Sequence, residues 1–256
     1  MLLSERASEL PLILAGPLLR KVTKSQVSVW VALKSARMVT LKMWGSAAAQ
    51  LGSGQQATVG IGKNLHIVCV TAEVAPSLPP GGLFHYSLEF DTGQTFASPG
   101  VLTKNGGTAA LDVITYQDTE RPLPSFVVPP NDVARIRVVQ GSCRKPHGPD
   151  LDALRTLDEL LKHDATNPLG RPQQLFLTGD QIYADDVPDA LLYLLADAGE
   201  YLLNHTNGEV LPAVNVGVHH ESLWPGRRQQ VLDSVARFTS RSVRQSIAAF
   251  YAAERW

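Results

Sequence analysis

Val27, Val29 and Val31 alternate with Ser28, Trp30 and Ala32, a period of two that predicts a strand with one buried face. Runs of the same kind follow at 38–44, 56–62, 65–70, 83–90 and 109–116, with Gly, Pro and Ser between them. Short strands repeated between turn residues predict an all-β N-terminal domain, an antiparallel β-sandwich, over residues 1–130. Proline-rich stretches at 76–82 and 121–130 interrupt the pattern. The second reads as a linker, with the domain boundary near Pro129 and Pro130.

Beyond that boundary the periodicity changes. Residues 134–140 (ARIRVVQ) form a β-rich run that ends in Gly141, Ser142 and Cys143. Asp150 stands where a helix needs an N-cap, Leu151, Leu154, Leu157 and Leu161 share one face, and Lys162 and His163 fall near the helix end. Pro168 to Gln174 breaks this helix, and residues 175–178 read as the next strand, expected to be buried. Strand, helix and strand within about fifty residues predict a βαβ unit with parallel strands. Residues 131–256 therefore read as an α/β domain following the all-β one. Pro188 suits a first helical turn, and 191–203 is apolar nearly all round, which predicts a buried helix. Val231, Val235, Phe238, Val243, Ile247 and Phe250 keep helical spacing towards Trp256.

With 256 residues and 44% hydrophobic content, the chain can bury one large core or two modest ones. A net charge of -1 argues against a general nucleic-acid binder. Arg227, Arg228, Arg237, Arg241 and Arg244 gather late in the chain and read as a packing or solvated helix face. No apolar stretch approaches the roughly twenty residues of a membrane helix. The start, MLLSERASELPLILAGPLL, has Glu5, Glu9 and Pro11 around a short apolar run and makes a poor secretory signal, so a cytoplasmic location is expected. Cys69 and Cys143 are the only cysteines, which excludes a disulfide framework. Cys69, in the run LHIVCV, is expected to be a buried small hydrophobe. Asn204, His205 and Thr206 match a glycosylation sequon that carries little weight without an export signal.

The stretch LFLTGDQIYADD, 175–186, is the richest in chemistry. Asp180 follows Gly179 where a strand should emerge from its sheet, and ligands of open α/β folds gather outside the carboxyl ends of parallel strands. Tyr183, Asp185 and Asp186 come just after, a composition suited to a hard cation or to phosphoryl transfer. The βαβ unit sets Cys143 and Asp180 at the ends of two parallel strands, so residues distant in sequence reach one rim. Singly, Asp180 reads equally as a helix cap, Tyr183 as a packing aromatic and Cys143 as a buried thiol. Together, thiolate, carboxylate and phenolate would bring about three negative charges to one place, which only a highly charged cation tolerates. A calcium loop made of Asp180, Asp185 and Asp186 is the weaker reading, because the EF-hand spacing is absent.

The segments VVQGSCRKPHG (138–148) and LFLTGDQIYADDV (175–187), behind a strand-rich domain, resemble the PhoD-like metallophosphatases, the alkaline phosphatase D family. That resemblance implies a metallophosphoesterase-type α/β sandwich whose first βαβ part lies here, with helices after it. It implies a binuclear site of iron and calcium, with Cys143 as the iron-ligating thiolate, Asp180 bridging both metals and Tyr183 as a phenolate on iron. The implied reaction is hydrolysis of phosphate mono- and diesters, in which two metals polarise the phosphoryl group and supply a hydroxide. Arg144, Lys145 and His147 could hold the substrate's anionic oxygens; an ordinary solvated loop is the equal alternative. The family's later ligands, an Asp-His segment and a distal Asp and His, have no counterpart here, and neither Asn204-His205 nor His219-His220 fits them. The chain therefore looks like the first part of such an enzyme, with its C-terminal part absent, and is expected to hold metal weakly and turn over near background alone. A non-catalytic remnant or interaction module stays open. The expected partner is a small phosphate ester, with no membrane and no nucleic acid, and an exposed sheet edge is available for self-association or another chain.

Overall fold

The computed structural model describes residues 3–45, 49–116, 122–144, 152–181, 189–204, 209–211 and 216–218. Contacts divide the chain into two compact units, Ser8–Gly179 and a second made of Met1–Ala7 with Asp180–Trp256.

The first unit is built on eight antiparallel strands: β1 (Ile13–Val22), β2 (Gln26–Leu33), β3 (Met38–Trp44), β4 (Gln50–Ala57), β5 (Val59–Gly62), β6 (Leu65–Val74), β7 (Leu83–Phe90) and β8 (Ser125–Val127). They hydrogen-bond in the order β1-β2-β6-β4-β3-β7-β8, with β5 beside β6. Alternation sets the buried face. Val27, Val29, Val31 and Leu33 of β2, Val39, Leu41 and Met43 of β3, and Val68, Val70 and Ala72 of β6 all enter one core. Phe84, Tyr86, Phe96 and Phe126 close that core with ring centroids 5.7 to 6.4 Å apart.

Strands β4 and β6 pair over a short stretch, Gly52 with Val74 and Ser53 with Glu73. Here the backbones come so close that a Cβ on Gly54 would lie 1.8 Å from the Thr71 carbonyl oxygen, and one on Gly52 would lie 2.2 Å from that of Glu73. The glycines that make QLGSGQQA look like a turn are what allows this approach.

Several local expectations are corrected. Residues 109–116 form no strand; a short helix, α1 (Thr108–Leu111), buries Ala110 and Leu111 and passes into a turn. The expected strand at 56–62 is broken at Thr58, between β4 and β5. The linker stretch contains β8, which pairs with β7. Strand β1 was not foreseen: Gly16 and Pro17 interrupt it, which an edge strand tolerates with shifts in register. Cys69 is exposed, because Val68 and Val70 take the inward positions on either side of it.

The α/β part follows. A 3-10 turn at Val133–Arg135 precedes β9 (Val138–Gly141), so the strand starts later than the run 134–140 suggests. Helix α2 (Ala153–His163) carries Leu154, Leu157 and Leu161 on its half-buried face, and β10 (Gln174–Leu177) returns parallel to β9. The helix is capped by Asp152, whose side chain accepts from the Leu154 N–H, and not by Asp150. Asp150 and Leu151 lie outside the described residues.

In the second unit, α3 (Asp189–Leu203) is the expected helix. It is not buried all round: Leu191, Tyr193, Leu194 and Leu195 are 42–52% exposed. An apolar sequence states what a helix would bury but does not supply the surface to bury it against. Asp197 of α3 accepts hydrogen bonds from the Leu3 and Ser4 amides at 2.6 and 3.0 Å and from the Ser4 hydroxyl at 2.5 Å. Burial opposes the charge on Asp197, but these hydrogen bonds outweigh it and hold the carboxyl below its ordinary value. A small antiparallel pair, β11 (Glu209–Leu211) and β12 (Val216–Val218), follows. The helical spacing seen from Val231 onward, and the late arginines, fall outside the described residues.

Candidate functional site at the ends of β9 and β10

The parallel register of β9 and β10 runs from Val138 opposite Gln174 to Gly141 opposite Leu177. Hydrogen bonding continues past both strand ends: the Thr178 N–H donates to the Gly141 carbonyl and the Cys143 N–H to the Gly179 carbonyl, each at 2.9 Å. Gln140 adds a side-chain bond to the Thr178 hydroxyl at 2.7 Å. The chain past β9, through Cys143, thus lies beside Thr178 and Gly179, and Asp180 follows Gly179 directly in the sequence.

Two non-glycine residues past the strand ends adopt left-handed backbone, Cys143 with φ 56° in the first unit and Asp180, where the second unit begins, with φ 49°. Such conformations cost roughly 1–3 kcal/mol and persist where neighbouring bonds over-determine them, commonly at functional sites. Aspartate tolerates the region through its short polar side chain; cysteine has no such advantage. The Cys143 thiol is exposed.

Strand β10 is not the buried strand expected. Leu175, Phe176 and Leu177 are 46–51% exposed, although a parallel strand apolar on both faces is one that other layers normally cover. The pattern of QLFL correctly marks strand; burial needs neighbours that the pattern cannot supply.

Arg144 is engaged within its own segment. Its Nη2 donates to Asp152 Oδ2 at 2.7 Å, and its Nε lies 3.2 and 3.3 Å from the two carboxylate oxygens. Asp152 thus caps α2 and pairs with Arg144 at once. The Arg144 hydrogen bond, then the Leu154 amide, holds the Asp152 carboxyl below its ordinary range, and the same contact holds Arg144 further up. Sequence reasoning missed this pair, because Asp150 and Asp152 are equally plausible caps by spacing. His147, Lys145, Tyr183, Asp185 and Asp186 lie outside the described residues.

Two tethers position the βαβ unit on the sandwich, and neither was signalled by the pattern. Tyr116 Oη donates to Asp158 Oδ1 of α2 at 2.8 Å. Burial, then this carboxylate, pushes the phenol up to about 12, so Tyr116 is a proton donor at neutral pH. Arg171, buried ahead of β10, donates to the hydroxyl and carbonyl of Ser125 on β8 and to the Ala165 carbonyl. Arg137 beside it donates to the Gly170 carbonyl at 2.7 Å, and Gln173 and Arg137 exchange further bonds.

As donors for a metal, the described residues past the end of β9 offer the Cys143 thiol, and the second unit begins with the Asp180 carboxylate. No group of three or more His, Cys, Asp or Glu is placed to hold an ion among the described residues. Among the described residues that is short of a metal site. No helix among the described residues is long and apolar enough to cross a membrane.

No protein-family model matches the chain, and no curated protein matches it. Among solved structures it is similar to the structure of PhoD, with 13% identity and a TM-score of 0.35, covering 82% of this chain and 48% of that one. It is also similar to a glycosyl hydrolase family 2 member from Bacteroides cellulosilyticus, with 12% identity, a TM-score of 0.24, and coverage of 75% and 33%. The chain thus spans about half of the PhoD chain it matches (48%). At such scores neither likeness bears on the site.

Proposed function

We propose that this chain carries the metal-ligating start of a PhoD-like metallophosphatase, acting on phosphate esters. Cys143 would ligate iron, Asp180 would bridge iron and calcium, Tyr183 would add a phenolate, and Arg144 and His147 would contact the phosphoryl oxygens. The observation that carries the reading is the backbone bond from Cys143 N–H to the Gly179 carbonyl, which sets the GSC segment beside Thr178 and Gly179 at the end of β10. The sequence resemblance of those two segments supports it, as does the left-handed backbone at both proposed ligands. For Arg144 to reach a phosphate it must share or leave Asp152, so substrate would compete with a carboxylate that also caps α2.

The test is metal content and spectrum. The full chain, given excess iron and calcium, should take up iron weakly, with a visible thiolate or phenolate charge-transfer band that Cys143→Ser and Asp180→Asn diminish. Iron at background in the unaltered chain, or a band insensitive to both substitutions, refutes the ligand assignment. Hydrolysis of a chromogenic phosphate ester, lost with Asp180→Asn, would establish activity.

A further inference from the structure

A cavity of 440 Å³ opens within the unit Ser8–Gly179, between the turn after α1 and helix α2. That volume is in the range of small-molecule sites, roughly 300–1,000 Å³. Its lining divides by chemistry. Asp112 and Asp158 bring carboxylates, Lys162 an ammonium, and Val113 and Ile114 an aliphatic wall.

The hydroxyl protons of the lining are engaged elsewhere. Thr115 donates to the Leu111 carbonyl at 2.8 Å, and Tyr116 donates to Asp158 at 2.8 Å. Asp158 is thereby held in place with its second oxygen outside that bond. Among the described residues no ion pair engages Asp112, Asp158 or Lys162. Val113 is 65% exposed, a large apolar side chain kept in water at the wall of a cavity.

Both signs of charge therefore face one space beside an apolar surface. A simple anion would be repelled by two carboxylates and a simple amine by Lys162, and a neutral polyol would gain no attraction from the three charges. A dipolar ligand satisfies both signs at once. We propose that this cavity binds a small aliphatic α-amino acid, its ammonium on Asp112 and Asp158, its carboxylate on Lys162 and its side chain on Val113 and Ile114. The site shares no residue with the Cys143–Asp180 rim and stands independently of the phosphatase reading.

Isothermal titration calorimetry of the full chain tests this with L-leucine, leucinamide, which lacks the carboxylate, and 4-methylpentanoate, which lacks the ammonium. L-Leucine should bind at millimolar concentration or below, and each analogue at least about tenfold more weakly. Lys162→Met and Asp112→Asn should each weaken leucine about tenfold or more while leaving the unliganded melting temperature unchanged, and Lys162→Arg should retain binding. Absence of leucine binding up to about 10 mM, equal binding of either analogue, or an unaltered Kd in Lys162→Met overturns the proposal.

Discussion

Arg171 is 7% exposed, and among the described residues it is bonded to no carboxylate. Its guanidinium donates to Ser125 Oγ at 2.8 Å, to the Ala165 carbonyl at 3.1 Å and to the Ser125 carbonyl at 3.2 Å. Burial lowers its pKa, with Tyr116 opposing, yet an arginine stays charged at any ordinary pH. Two large effects therefore compete. Desolvating the cation costs several kcal/mol, and hydrogen bonds from a charged donor return about 1.5–3 kcal/mol each. Arg171→Met removes both effects but leaves the carbonyls of Ser125 and Ala165 without their donor, at about 1–3 kcal/mol apiece. Ala165 is 2% exposed, so water replaces the lost donor there poorly. The orphaned acceptors should decide the sign, with a net loss of about 3 kcal/mol, or a melting temperature lower by roughly 6–12 °C. Urea unfolding followed by circular dichroism gives the free energy. Hydrogen exchange at β10 should accelerate, since Arg171 fixes the loop that leads into it. A methionine variant as stable as the parent would mean that desolvating the cation costs as much as its hydrogen bonds return, and that Arg171 does not stabilise the junction with β8.

Gly54→Ala places a Cβ 1.8 Å from the Thr71 carbonyl oxygen, so β4 must separate from β6 and stability should fall by about 2 kcal/mol or more in the same unfolding assay; an unchanged midpoint would show that the contact yields freely. Because the folded Asp152 carboxyl titrates below its ordinary value of 3.8, its pairing with Arg144 contributes above that pH and is lost as pH falls through the lower folded value. Asp152→Asn keeps a good helix cap but not the ion pair, so the stability gap between parent and variant should be present at neutral pH and close on acidification; a gap independent of pH would refute the assignment. Phe176 is 51% exposed on a four-residue strand without charge, and Phe176→Lys should lower concentration-dependent association in sedimentation velocity if that edge is sticky; identical profiles would exclude β10 as the contact.

Elements whose pattern is local were legible in the sequence. Val27 to Val31, Met38 to Trp44 and Leu83 to Phe90 alternate so regularly that their strands and inward faces follow from the pleat alone. The βαβ order around α2, with β9 and β10 parallel and the GSC and TGD segments following their carboxyl ends, also followed from element types. Where prediction failed, a distant partner overrode local preference. The residues Ala109 to Tyr116 favour a strand by composition, but packing of Ala110 and Leu111 turns them into helix and turn. Glycine-rich β4 and the Gly-Pro in β1 look like breaks until a close neighbour or a free edge explains them.

Sequence by itself therefore determined the strands β2, β3 and β7, the parallel β9-α2-β10 order and the helix α3, together with the apolar side of the regularly alternating strands. Periodicity and end chemistry are properties of a few adjacent residues, so they survive without knowledge of the rest. Tertiary structure alone decided that Arg144 pairs with Asp152, that Arg171 ties the Ala165 turn to β8, that Cys69 faces outward and that β10 remains exposed. Burial, charge pairing and close approach each depend on what arrives from elsewhere in the chain, and no local pattern encodes that arrival.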